Sequence, residues 1–134
     1  MNKIESEAAK LFSVLALARE ELEKLMEQCK ALANVSEVTE SSEIRRYPDK
    51  TIFEFFVEAE LHSSGDAVCW WLDLILCGDD WIVDRKIHLT VRGEQDVLEQ
   101  YPEIKFPNAG GVADALLGLT QELTTNKPAL DRLR

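Results

Sequence analysis

The chain is poor in the residues that most often carry chemistry or cross-link a fold. Its 134 residues include three cysteines, two histidines, four prolines and six glycines. Cys29, Cys69 and Cys77 cannot all pair within one chain, and none belongs to a C-x-x-C pair. So sparse and odd a count reads as reduced thiols in a cytoplasmic protein. No zinc-ligand spacing is present, and no metal or other cofactor is expected. Basic residues are also scarce: 15 against 25 acids, for a net charge of -10. Nucleic acid needs a basic footprint on the protein and is therefore not expected as a partner. An anionic membrane surface is disfavoured for the same reason. No stretch approaches the roughly 18 uninterrupted apolar residues of a membrane span. The N-terminal residues are not basic and then apolar, so no secretory signal is expected, and the sequon at Asn34 carries no weight without one.

A chain of this length is expected to form a single α+β domain over 1–134, burying about two thirds of its unfolded surface. Residues 1–33 predict a long helix, because Ile4, Ala8, Leu11, Leu15, Ala18, Leu22, Leu25, Cys29 and Leu32 recur at alternating spacings of four and three. At 1.5 Å per residue such a helix is ~45 Å long, against a domain radius of gyration of ~14 Å. It is therefore expected to overhang its own domain and to self-associate, as a dimer, through Leu11, Leu15, Ala18, Leu22 and Leu25. Packing wholly on its own sheet is the alternative. Glu7, Glu21 and Glu23 against Lys30 supply no charge code for a parallel zipper.

Residues 35–92 read as a four-stranded antiparallel meander. A polar edge strand ends at the turn Tyr47-Pro48-Asp49-Lys50. Phe53, Phe55, Val57, Ala59 and Leu61 then alternate with Glu54, Glu58 and Glu60. After a turn, residues 67–77 are apolar but for Asp73. Cys77-Gly78-Asp79-Asp80 carries the type II′ signature, and Trp81, Val83, Ile87, Leu89 and Val91 alternate again, with Arg85 as the exception. Residues 93–108 are expected to be a connector with a helical turn or two around Val97, Leu98 and Tyr101. Residues 109–125 predict a second helix capped by Asn108, its apolar face made of Val112, Leu116, Leu119 and Leu123. Gly110 and Gly111 suit close packing, and the residues past Pro128 are expected to fray.

Paired residues in an antiparallel ladder share a face. With loops at 63–66 and 78–79, the apolar positions of three strands fall on one side, where both helices should pack. The other side collects the rows Glu60–Cys69–His88, Glu58–Trp71–Lys86 and Phe56–Asp73–Asp84. This mixed face is too apolar to be left fully in water, and it is the expected binding face. A register shift of two residues would change the neighbours and leave the membership intact.

Cys69 beside His88, or His88 beside a glutamate, would suit acid–base or nucleophilic work. No nucleophile elbow supports it, and no catalytic residue is assigned. Glu58, Asp73 and Asp84 could cluster, although spaced carboxylates on a wet face are the commoner outcome. The expectation is a non-enzymatic, self-associating interaction domain, immunity-like or chaperone-like, that binds a basic protein. A small-molecule-binding or hydrolytic domain built around Trp71, Asp73 and His88 is the alternative.

Overall fold

The computed structural model describes the backbone from residue 3 to residue 134 and side chains from residue 8 onward. The side chains of Ile4 and Glu7 thus lie outside the described residues. The order is α1 (Lys3–Lys30), β1 (Val35–Arg46), β2 (Thr51–Leu61), β3 (Ala67–Cys77), β4 (Asp80–Val91), β5 (Glu94–Gln100), β6 (Ile104–Phe106), α2 (Ala109–Thr124) and α3 (Lys127–Leu133). The class is α+β. All strands form one antiparallel sheet in the order β1-β2-β3-β4-β5, with β6 also on β4. Among the described residues no helix is long and apolar enough to cross a membrane.

The strands are nearly as long as α1, and from Val14 onward the helix buries one stripe against its own domain. Twenty-eight helical residues span ~42 Å, and strands of 11 or 12 residues span ~38 Å. The buried stripe of α1 is Val14, Ala18, Leu22, Leu25 and Cys29, while Leu11 and Leu15 are only half-buried. A straight helix of 3.6 residues per turn drifts off a strict heptad, so the a/d assignment fails toward the N-terminus. Ala18, Leu22 and Leu25 therefore sit in the chain's own core and present no free surface.

The helices pack on the face formed by Phe53, Val57, Ala59, Val68, Trp70, Leu72, Leu74, Val83, Ile87 and Leu89, as the alternation requires. Arg85 also points to this face and is 1% exposed. Its Nη1 donates to the Leu119 carbonyl at 3.1 Å and pairs with the Glu122 carboxylate, and its guanidinium lies 4.8 Å from the Tyr101 ring centroid. Trp70 Nε1 donates to the Leu123 carbonyl at 3.1 Å, and the Tyr101 hydroxyl donates to that of Glu122 at 2.8 Å. The last turn of α2 leaves carbonyls without helical partners and carries partial negative charge. A cation and two side-chain donors from the sheet side satisfy it. This explains the one polar exception in the β4 alternation.

Three expectations are corrected. The segment around Val97 is strand, not helix: Arg92 and Gly93 both adopt positive φ (52° and 83°) and turn the chain through a two-residue hairpin. Positive φ at both central residues is the type I′ geometry, which twists as the flanking strands do. The C-terminus is ordered as α3, because Asn126 Oδ1 caps Ala129 N–H at 3.0 Å and Pro128 occupies the first turn, where it needs no donor. Ala129 and Leu133 are fully buried. Finally, α1 stops at Lys30. Asn34 lies beyond it and makes three bonds to two segments: its Nδ2 donates to Arg132 O, its carbonyl accepts from His62 N–H, and its Oδ1 accepts from Ser63 N–H. At Gly78 φ is 61°, as the type II′ turn requires, and Gly111 approaches the Phe106 ring so closely that a Cβ would lie 3.2 Å from it.

Candidate functional site

The face of the sheet opposite the helices carries the residues expected to bind. The β3–β4 register is the expected one, with Cys77 opposite Asp80 and Asp73 opposite Asp84. The β2–β3 register differs by two residues: Ala59, not Leu61, lies opposite Val68. The loop is 62–65 rather than 63–66, since Leu61 N–H donates to Asp66 O at 2.7 Å and Gly65 closes the turn at φ 72°. Membership of the face is unchanged, and its rows are reassigned. Glu58–Cys69–His88 replaces the row with Glu60, Phe56–Trp71–Lys86 replaces the row with Glu58, and Glu54–Asp73–Asp84 replaces the row with Phe56. Glu60 moves to the exposed end, opposite Ala67. Ile52–Ile75–Ile82 forms a further row, which the sequence reading did not single out.

These rows make bands. An isoleucine band lies beside an acidic band, which lies beside a band of two aromatics and a lysine. Phe56 and Trp71 have centroids 4.4 Å apart at 50°, and Lys86 Nζ lies 5.2 Å from the Trp71 centroid. His88 lies 6.4 Å from it. Cation–π attraction holds Lys86 there. Trp71 Nε1 is shielded from water and has no hydrogen-bond partner.

Asp73 occupies the middle of the acidic band. Its neighbours are served: Glu54 pairs with Arg45 at 2.7 Å, and Asp84 accepts from Gln100 Nε2 at 3.0 Å. One oxygen of Asp73, Oδ1, is buried and unpartnered. Burial, then the charges of Glu54 and Asp84, push its carboxyl up to about 6, against the weaker pull of Arg45 and Lys86. Like charges directly opposite one another in a ladder are destabilising. This row therefore costs stability. Glu54 takes the place expected of Glu58 in the carboxylate cluster; finding it needed the correct β2–β3 register.

The arrangement offers little for covalent chemistry. Cys69 and His88 are cross-strand neighbours, yet Cys69 Sγ contacts Thr90 Oγ1 at 3.6 Å and His88 Nδ1 contacts Gln95 Oε1 at 3.2 Å. Burial pushes the Cys69 thiol up, away from the reactive thiolate. Among the described residues no group of three His, Cys, Asp or Glu side chains is placed to hold a metal ion. Hollows of about 560, 470 and 410 Å³ lie elsewhere: beside Asp66 and Arg92, beside Leu11, Leu76 and Trp81, and between Phe12 and Ile44.

No protein-family profile, curated protein or solved structure matches this chain. The reading of the site rests on its geometry. Within the chain α1, α2 and α3 all lie on the opposite face, so the shelter given to Cys69 and His88 comes from neighbouring strands, Gln95 of β5 included. The stripe expected to drive self-association divides: Ala18, Leu22 and Leu25 belong to the core, and Leu15 reaches the rim of the hollow at Phe12 and Ile44.

Proposed function

We propose that this protein is a non-enzymatic interaction domain that binds a basic protein through the open face of its sheet, in the manner of an inhibitor or chaperone. The observation that carries this reading is Asp73: a sheltered, unpartnered carboxylate oxygen between two further carboxylates and beside an aromatic pair. An arginine side chain satisfies that combination, because a guanidinium donates to carboxylates and stacks on aromatic rings at once. The isoleucine band supplies apolar area next to the charged contact, as interface centres do. Charge argues against a second copy on this face, since Glu54, Glu58, Glu60, Asp73 and Asp84 would meet their own kind against the fewer cations Arg45, Lys86 and Lys105.

Tryptophan fluorescence tests the proposal. Trp70 and Trp81 are buried, so Trp71 reports on the open face. Titration with an arginine-rich peptide is expected to change the emission and to weaken with added salt. Asp73→Lys should weaken binding about tenfold or more. Glu20→Lys makes the same charge change on exposed α1 and should leave affinity nearly unaltered. Equal losses in the two variants would reduce the effect to net charge and overturn the assignment.

A further inference from the structure

The two edges of the sheet are built differently. On the β4 side the edge is broken into β5, whose pairing is interrupted by a bulge between Ile87 and His88, and the three-residue β6, flanked by Pro102 and Pro107. Short strands, bulges and prolines keep an edge from pairing with another chain. At the other edge β1 runs for 12 residues without proline or lysine, and its one irregularity lies at the end, between Val35 and Glu37. Tyr47 N–H donates to Lys50 O at 2.8 Å. By the alternation of an antiparallel ladder, the odd residues of β1 turn their backbone groups toward β2. Val38, Glu40, Ser42 and Ile44 turn theirs outward.

A patch of apolar surface accompanies this edge. Phe12 of α1 is 68% exposed and Ile44 of β1 is 57% exposed. With Leu15, Ala16, Phe53 and Phe55 they line a groove of about 410 Å³ between helix and strand. Val38 lies on the same face of β1, opposite Ala59 as Ile44 lies opposite Phe53.

We infer that β1 pairs antiparallel with β1 of a second copy, around a two-fold axis through Ser41, to make one sheet across a homodimer. The sequence of β1 selects that register. A two-fold axis perpendicular to the sheet keeps each face continuous, so a residue pairs with one of its own parity. Centred on Ser41, the axis sets Glu37 opposite the partner's Arg45 and Val38 opposite the partner's Ile44, each contact occurring twice. Glu40 meets Ser42, Thr39 meets Glu43, and no like charges face one another. Centred on Glu40, it would set Glu40 against Glu40 and Glu37 against Glu43. Centred on Ser42, it would set Glu40 against Ile44 and Val38 against Arg46. Opposite charges and apolar pairs directly across a ladder stabilise it, and like charges oppose it. The occupant is a second copy, because the strand is complementary to itself. The α1 helices would then approach through Phe12 and Ala16, on the flank of the buried stripe. This surface goes beyond the proposed function; its odd β1 residues, Arg45 among them, border the open face but not the centre of the Asp73 and Trp71 rows.

Mass in solution and directed cross-linking test the inference. Light scattering is expected to report twice the 15.2 kDa of one chain. Ser42→Pro removes an outward N–H, which leaves the β1–β2 ladder intact, and is expected to give a folded monomer. In a Cys77→Ser background, mild oxidation of Ser41→Cys should yield a covalent dimer, since non-hydrogen-bonded partners have Cα atoms about 4.5 Å apart, within disulfide reach. Thr39→Cys or Glu43→Cys alone should not cross-link, while a mixture of the two should. A wild-type chain that remains monomeric overturns the inference, as does a dimer that survives Ser42→Pro. Cross-linking at Thr39→Cys alone overturns the register.

Discussion

Leu72 and Asp73 are adjacent in β3 and point to opposite faces of one sheet. On the helix side the centre of the sheet is closed: Leu72 is fully buried, and Arg85, the buried charge there, bonds to α2 through Nη1 while its Nε has no partner. On the open side the same strands carry a row of three carboxylates, a tryptophan N–H without an acceptor and a carboxylate oxygen without a donor. One face is mainly apolar and packed under helices, and the other gathers carboxylates, aromatics and most of the unpartnered polar atoms. That second face is where a partner can gain what the fold forgoes.

The largest test of this contrast lies at Arg85 and its neighbour. Arg85→Ala opens a cavity under α2 and removes the cation that bonds the Leu119 carbonyl and pairs with Glu122. It is expected to cost about 3 kcal/mol by chemical denaturation. Lys86→Ala, one residue along and on the other face, should cost less than about 0.5 kcal/mol. Comparable losses at both positions would erase the distinction.

Asp73→Asn should act in the opposite direction from a core substitution. The unfolded carboxyl releases its proton near 3.8 and the folded one near 6. The folded state therefore binds more protons between those values, and stability falls as pH rises through that window. At pH 7.5 the substitution is expected to stabilise by about 1–2 kcal/mol, allowing for partial exposure. At pH 3 the difference should vanish. A pH-independent effect would place the cause in packing rather than in charge. The same titration predicts that affinity for an arginine-rich peptide fades as pH drops below 6, because the carboxylate takes up a proton.

The smallest effect concerns the thiols. Cys69 is buried and its thiol is raised, whereas Cys77 at the end of β3 is half-exposed. Both belong to the open face by parity. A neutral alkylating reagent should label Cys77 first, and mass spectrometry of peptides would show it. Prior labelling of Cys69 would mean that the open face lacks the shelter its strands give it.

Much of this architecture was legible in residue order. Three alternations agree on one face, the Gly78 turn sets the β3–β4 register, and Asn108 marks the start of α2. The misreadings have local causes. A left-handed conformation at Arg92 is uncommon for a residue with a side chain, so the Arg92-Gly93 hairpin left no clear mark and β5 read as a connector. Fraying past Pro128 is the expectation for a proline near a chain end, yet beside Asn126 a proline begins a helix as readily as it ends one. Gly65, by closing a loop at 62–65, moved Glu54 rather than Phe56 beside Asp73.

The sequence by itself determined sidedness. Successive side chains of a strand point to opposite faces whatever the strand pairs with, so Asp73 and Trp71 were bound to lie away from Leu72 and Trp70, and Glu54 away from Phe53 and Phe55. Only the tertiary structure decided company. Which carboxylates flank Asp73 depends on loop closure, which stretch of α1 is buried depends on a helical period that does not divide seven, and what Arg85 holds depends on a helix some 35 residues later in the chain. Parity is a property of covalent geometry along one strand, whereas register and contact arise between segments and are settled when they meet.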